Sequence, residues 1–263
     1  MERAYVDIHS HLNLEHFAHD LPEVVMRMRA QQVCTIVVGV DAATSQKAVL
    51  LAENYPEIYA CVGIHPVDDL HAVFDPDWLS VLAAHERVVA IGECGLDYYR
   101  TDDPNEKKRQ SNIFSAQIEF AATHSLPLML HGRPTRGTMD AYEDMLAILE
   151  DMSRRYSTVR GNAHFFVGSI PIARRFLALN FTLSFPGVIT FAREYDEVVQ
   201  YVPVDMLHAE TDAPYATPEP YRGTRNEPVY VTEIVAKIAQ IKGHDVETVR
   251  AVLRENARRV FGF

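Results

Sequence analysis

An alternation of short apolar runs with longer helical stretches, repeated about eight times, constrains this chain more than any other feature of its sequence. The strand candidates are Ala4–His9, Cys34–Val40, Tyr59–Ile64, Val88–Glu93, Leu128–His131, Asn162–Phe166, Thr182–Phe185 and Leu207–Thr211. Most are rich in Val and Ile and do not alternate strictly, the pattern of strands covered on both faces. Helical spacing is clearest over Glu106–His124, where Ile113, Gln117, Phe120 and Ala121 recur. It returns over Leu21–Ala30, Ser45–Asn54, Asp77–Ala84, Met139–Tyr156, Ile172–Leu179 and Val229–Ile241, and a capped final helix follows His244-Asp245-Val246-Glu247.

Repeated βα units have two common outcomes, a doubly wound open sheet or a closed barrel. A doubly wound nucleotide fold carries a glycine-rich turn after its first strand. Here Leu12-Asn13-Leu14-Glu15 follows His11 and contains no glycine, which favours the barrel. The predicted fold is α/β: a single (β/α)8 TIM-type barrel domain over residues 1–263, a length typical of that architecture.

A barrel of this kind builds its active site at the C-terminal ends of its strands. Residues of metal-ligand type stand at most of those ends: His9 and His11, then His65, Glu93, His131, His164 and Asp212. His9 and His11 are two apart, so in an extended chain they project side by side from one face. Among 12 histidines such a pair alone is a weak signal. Each of the others also has an ordinary explanation taken singly. His131 or His164 would be a satisfied buried histidine, Glu93 the partner of an arginine, and Asp212 the start of a turn before Ala213-Pro214. Those explanations do not account for a ligand type at the end of nearly every strand. Burying so many imidazoles and carboxylates together without ions is costly. The sequence therefore predicts a divalent-metal centre.

The formal charge of -11 argues against broad coating of nucleic acid, which needs a basic footprint. It leaves room for a nucleic-acid end or a nucleotide entering a pocket whose positive charge comes from ions and a few arginines. Apolar runs such as Val33–Val40 are too short to cross a membrane, and no signal-peptide core follows Met1-Glu2-Arg3. Cys34, Cys61 and Cys94 lie singly in apolar runs, the usage of buried thiols in a reducing compartment. A cytoplasmic location is expected, with no obligate protein partner evident.

With those positions in view, the sequence resembles the TatD family of metal-dependent hydrolases, within the amidohydrolase-like barrels, over essentially the whole chain. The resemblance rests on Asp7-Ile8-His9-Ser10-His11-Leu12, Val62-Gly63-Ile64-His65-Pro66 and Gly92-Glu93-Cys94-Gly95-Leu96-Asp97-Tyr98-Tyr99. It is closest over Glu210-Thr211-Asp212-Ala213-Pro214-Tyr215, then Pro220-Tyr221-Arg222-Gly223 and Arg225-Asn226-Glu227-Pro228. The resemblance implies His9, His11, Glu93 and Asp212 as ligands of one ion, and Glu93, His131 and His164 as ligands of a second, with Glu93 bridging. Two stretches depart from the family pattern. His131 is followed by Gly132-Arg133-Pro134-Thr135, where an acidic residue and Ala are usual after the Arg. His164 is followed by Phe165-Phe166-Val167-Gly168, where Cys and Ser or Thr are commoner.

The activity so implied is hydrolysis of a phosphodiester at an end of DNA or RNA, of the 3'-5' exonuclease type. Two divalent ions (zinc, manganese or magnesium) would activate water, with Asp212 as ligand and proton acceptor and Glu93 as shared ligand. Candidate substrate contacts are His65, Arg222, Arg225 and Arg133, on loops at the expected mouth, and the guanidinium forks of the three arginines suit phosphate. Asp97 is read either as orienting a ligand histidine or as capping its loop. The competing activity is an amide, ester or lactone hydrolase of the amidohydrolase type. Such barrels often bridge their metals with a carboxylated lysine late in the fourth strand, and no lysine occurs between Tyr55 and Asn105. A non-catalytic metal-binding barrel is the third reading, disfavoured because every ligand position keeps its side chain.

Overall fold

The computed structural model describes residues 3–263, and the alternation read from the sequence runs through it. Its strands are β1 (Tyr5–Ser10), β2 (Val33–Val38), β3 (Ile58–Val62), β4 (Val88–Asp97), β5 (Leu128–Arg133), β6 (Gly161–Ala163), β7 (Phe181–Phe185) and β8 (Leu207–Ala209). They form one eight-stranded sheet in sequence order, each neighbouring pair parallel. The intervening helices are α1 (Leu21–Ala30), α2 (Ala42–Asn54), α3 (Pro76–Ala83), α4 (Pro104–Thr123), α5 (Asp140–Arg155), α6 (Ile170–Ala178) and α7 (Asp196–Tyr201). Two more, α8 (Val231–Lys242) and α9 (Val246–Phe261), follow β8. Only α7 lacked a helical stretch in the sequence reading.

Local chemistry sets these boundaries. Asp41 and Thr44 form a capping box at the start of α2, each side chain bonding the other's backbone N–H. Asp245 caps α9 through Thr248 N–H, and Gly243 and Gly262 end α8 and α9 in the left-handed conformation that glycine adopts without penalty.

Successive strand side chains divide between two apolar layers. The outer layer, between sheet and helices, joins residues such as Val37, Val62 and Leu130 to Phe114, Leu146, Phe176 and Ile238. The inner layer fills the sheet's concave side with Val6, Ile8, Ile36, Val38, Cys61 and Met129, and Ala257, Val260 and Phe261 of α9 join it. Phe263 stacks on Tyr59 at 4.2 Å between ring centres, so the chain's last residues cover the strands' N-terminal end. Cys34, Cys61 and Cys94 are buried free thiols, as expected. No helix among the described residues is long and apolar enough to cross a membrane.

The sheet closes at its opposite end. His11 N–H donates to Ala213 O (2.7 Å) and Asp212 N–H to His9 O (2.9 Å), beside a parallel bridge between Ser10 and Ala213. Buried Asp7 reinforces the seam, accepting from Thr211 N–H (2.8 Å), the Thr211 hydroxyl (2.7 Å) and the Thr35 hydroxyl (3.1 Å). The first and last strands are thereby fixed to each other where the histidine pair emerges.

Two buried glutamines on α4 act as backbone clamps. Gln117 accepts from Ile64 N–H at 2.8 Å and donates to Ile64 O at 3.0 Å. Gln110 accepts from Asp97 N–H at 2.9 Å and donates to Asp97 O at 3.3 Å. Each pins the chain beside a site residue, because Ile64 precedes His65 and Asp97 ends β4. Gln117→Leu leaves a buried N–H and C=O unpaired, which should cost roughly 2 kcal/mol or more. The expected result is a thermal midpoint lowered by several degrees; an unchanged midpoint would show that Ile64 needs no partner from α4.

Candidate metal centre

The C-terminal parts of β1, β4 and β5 and the residues that follow β1, β6 and β8 deliver His9, His11, Glu93, His131, His164 and Asp212 to one place; β4 runs on past Glu93, where the apolar run stops, to Asp97. Glu93 stands at its middle. Its Oε1 lies 2.7 Å from His131 Nδ1, 2.8 Å from His164 Nε2 and 3.7 Å from His65 Nε2. Its Oε2 faces the other way, 3.5 Å from His9 Nε2 and 3.8 Å from His11 Nε2. Asp212 Oδ1 joins that second side at 3.4 Å from His11 and 3.9 Å from His9. One carboxylate thus separates two groups of imidazole nitrogens.

Local backbone makes this possible. Gly92 and Gly95 flank Glu93 and Cys94 with φ near +150°, and a Cβ at Gly95 would sit 2.0 Å from His131 O. β4 can run this close to β5 only without those side chains. Asp212 is itself left-handed (φ 54°), a conformation Asp tolerates better than most residues. Its loop is fastened by buried Asn226, which donates to Thr211 O (2.8 Å) and Tyr215 O (2.5 Å).

The ring nitrogens are individually oriented. His11 Nδ1–H donates to Val38 O (3.0 Å), which turns its Nε2 lone pair toward His9 Nε2, 3.2 Å away. His131 Nε2 meets Asp97 Oδ2 at 3.2 Å, and Asp97 Oδ1 accepts from Arg100 N–H at 3.2 Å, so Asp97 both orients that imidazole and caps its loop. Asp68 holds His65 Nδ1 at 2.6 Å. Glu210, fully buried, lies 3.7 Å from His164 Nδ1. His9 Nδ1 has no hydrogen-bond partner among the described residues.

Electrostatics bind the cluster. Burial and the neighbouring His164 push His9 down to about 3. Burial also opposes charge on the others, but Asp212 outweighs it at His11, Asp97 and Glu93 at His131, and Glu93 and Glu210 at His164, so those imidazoles sit above their ordinary value. His65 sits below its ordinary value through burial and the charge of His131. Glu93 is held well below the carboxylate range: burial raises it, and the charges of His164 and His65 more than reverse that.

The donor set fits divalent metal. Three triads each place three ligand atoms within 4.8 Å of one another: His9, His11 and Glu93; His9, His164 and Asp212; and His65, Glu93 and His131. Imidazole nitrogen with carboxylate oxygen is the donor chemistry of zinc- and manganese-type sites. The Nε2 atoms of His9 and His11 lie 3.2 Å apart, and the bond from His11 Nδ1 to Val38 O leaves His11 Nε2 available, so both rings could ligate one cation.

His11, Glu93, His131, His164 and Asp212 line a cavity of about 570 Å³, whose wall also includes Arg100, Arg133, Phe165 and Tyr215. Of the arginines singled out from sequence, the structure brings Arg133 to the cavity, its guanidinium 4.1 Å above the Tyr99 ring. Arg222 and Arg225 are not brought there. Arg222 lies 3.9 Å over Phe191 and donates to Thr217 O. Arg225 makes paired bonds to Asp20 (2.8 and 2.6 Å) and reaches Glu227 at 3.1 Å, so its fork is spent on fastening loops. The sequence pattern assigns no site role to Arg100, Asp68, Glu210, Phe165, Gln110 or Gln117, and marks Gln117 only as part of a helical face; the departure from the family pattern after His164 is the available signal for Phe165.

The family described as TatD related DNase matches residues 6–262. The chain is 42% identical over 259 residues to the uncharacterized metal-dependent hydrolase YabD of Bacillus subtilis, covering 97% of this chain and 98% of that protein. It is 34% identical over 268 residues to the 3'-5' ssDNA/RNA exonuclease TatD of Pectobacterium carotovorum, covering 97% and 98%. Among solved structures, the TatD homologue YJJV of Escherichia coli superposes with a TM-score of 0.89 at 27% identity, over the whole of both chains.

Proposed function

The chain belongs to the TatD family of metal-dependent hydrolases, and on that premise we propose that it is a phosphodiesterase that removes nucleotides from the 3' end of single-stranded nucleic acid. The observation that carries the reading is the division of Glu93, one oxygen toward His131 and His164 and the other toward His9 and His11. It supports two divalent ions sharing that carboxylate. His9, His11, Glu93 and Asp212 would hold one, and Glu93, His131 and His164 the other. The similarity to a protein named as a 3'-5' ssDNA/RNA exonuclease supports the substrate. The three buried unpaired thiols support a reducing, cytoplasmic setting.

Bound divalent ions would supply Lewis-acid polarisation of the phosphoryl group and lower the pKa of the attacking water. Asp212, lining the cavity beside the histidine pair, takes the proton of that water. His65, held by Asp68 with its Nε2 turned inward, faces the substrate phosphate. Arg133 and Arg100 offer guanidinium groups from the cavity wall to the same anion. Asp97 keeps the His131 ring from rotating.

The direct test supplies manganese, zinc or magnesium and follows single-stranded DNA, duplex DNA, RNA and a simple phosphodiester, beside a panel of amides and lactones. Stepwise shortening from 3' ends is expected. Cleavage of amides or lactones alone would overturn the reading.

Metal uptake should depend on pH in a definite direction. His11, His131 and His164 are held above the ordinary imidazole value, so they keep their protons to higher pH than a free imidazole, and a metal ion competes with those protons for the ring nitrogens. Affinity should therefore rise as pH increases from 6 to 8, by up to about tenfold per unit for each proton released. Titration of the metal-free protein with zinc or manganese across that range reads this out, and a flat profile would contradict the assigned ligands.

A further inference from the structure

We propose that Phe165 is the shelf on which the terminal base of the substrate stacks, a specificity contact that rests on the nuclease reading above.

Phe165 follows His164 directly and has a left-handed backbone, φ 43°. That region is unfavourable for a bulky side chain and persists where the surroundings impose it. Here they do. The Phe165 N–H donates to Glu210 Oε1 at 2.6 Å, and the other oxygen of that buried carboxylate accepts from the Ser184 hydroxyl at 2.7 Å. Phe166 N–H donates to Ser184 O at 3.0 Å. The flanking side chains leave in other directions. His164 reaches Glu93, and Phe166 packs in the outer core against Tyr142, Phe176 and Phe185. The turn between them sends the Phe165 ring to the cavity wall, where it is only half-buried.

Its position gives the ring a use. It stands edge-on to His164, 6.2 Å between ring centres, and His164 Nε2 is 2.8 Å from Glu93. A phosphodiester whose phosphorus lies at the histidine–carboxylate centre carries its sugar and base about that far away. A partly exposed apolar plane that shares the cavity lining with His, Asp, Glu and Arg side chains is unfavourable against water and favourable against the flat face of a base. Val167, on the same wall, extends the apolar surface. Stacking of this kind reads no hydrogen-bond pattern, so it selects for the presence of a base and not for its identity.

The test compares wild type, Phe165→Ala and Phe165→Leu on oligonucleotides that end in a normal nucleotide or in an abasic tetrahydrofuran residue. On the normal end, both variants should lose kcat/KM roughly tenfold, mostly through KM. On the abasic end they should match wild type. A nucleoside monophosphate should inhibit wild type more strongly than deoxyribose phosphate, and that gap should close in Phe165→Leu. Equal losses on both ends, or a Leu variant indistinguishable from wild type on the normal end, would overturn the shelf while leaving the nuclease reading intact. Failure of wild type to shorten either end with any metal would overturn the nuclease reading and the shelf with it.

Discussion

Glutamine in place of Glu93 is expected to lower turnover by at least about 10³-fold and to remove most of the bound metal. The size of the effect follows from the geometry. Groups that merely orient a metal ligand typically cost about 10- to 100-fold when lost, and Glu93 faces both sets of imidazoles directly. Glutamine keeps the volume, so the space between Gly92 and Gly95 stays filled and the fold should survive. It loses the charge and presents an NH₂ donor where a carboxylate oxygen stood. Burial already works against the Glu93 charge, and the surrounding imidazoles stabilise it only as long as the residue is ionised. The measurements are kcat at saturating metal, elemental analysis of the same sample and a thermal melt. A folded variant with a full metal complement and turnover within tenfold of wild type would remove the shared carboxylate from the mechanism.

The sequence made that centre legible because barrel topology converts position in the chain into position in space. A residue where an apolar run stops lies at the rim, so His9, Glu93, His131, His164 and Asp212 could be grouped without knowing a single distance. All eight strands were visible for a related reason, since runs rich in Val and Ile betray burial on both faces. Less regular parts were not. Helix α7 spans only Asp196–Tyr201, too short for a helical period to emerge. Sequence does not tell a loop arginine that faces a ligand from one that, like Arg225, pairs with Asp20 or, like Arg222, donates to Thr217 O. Gln110 and Gln117 each bond a backbone distant in sequence, and nothing in local pattern marks such a partner. The same holds for Glu210, whose contacts with Phe165 and Ser184 exist only once β6, β7 and β8 are side by side.

Asp212→Asn should separate proton transfer from metal holding. Asp212 sits at φ 54°, and asparagine tolerates the left-handed region as aspartate does, so the loop fastened by Asn226 should keep its course. Alanine there would add backbone strain and confuse the result. Asparagine retains a carbonyl oxygen able to face His11 and His9, where Asp212 Oδ1 now lies at 3.4 and 3.9 Å. What it cannot do is accept a proton. If Asp212 is the acceptor, kcat should fall about 10²- to 10⁴-fold, with KM little changed and the melting temperature near that of wild type. The ion proposed for Glu93, His131 and His164 should remain bound, in contrast to Glu93→Gln, where both proposed ions should go. His11 reports the change independently. Its raised pKa depends on the Asp212 charge, so by NMR its imidazole in the metal-free variant should titrate lower than in wild type. A variant that keeps kcat while showing that lowered His11 titration would prove the charge gone and the proton acceptor elsewhere.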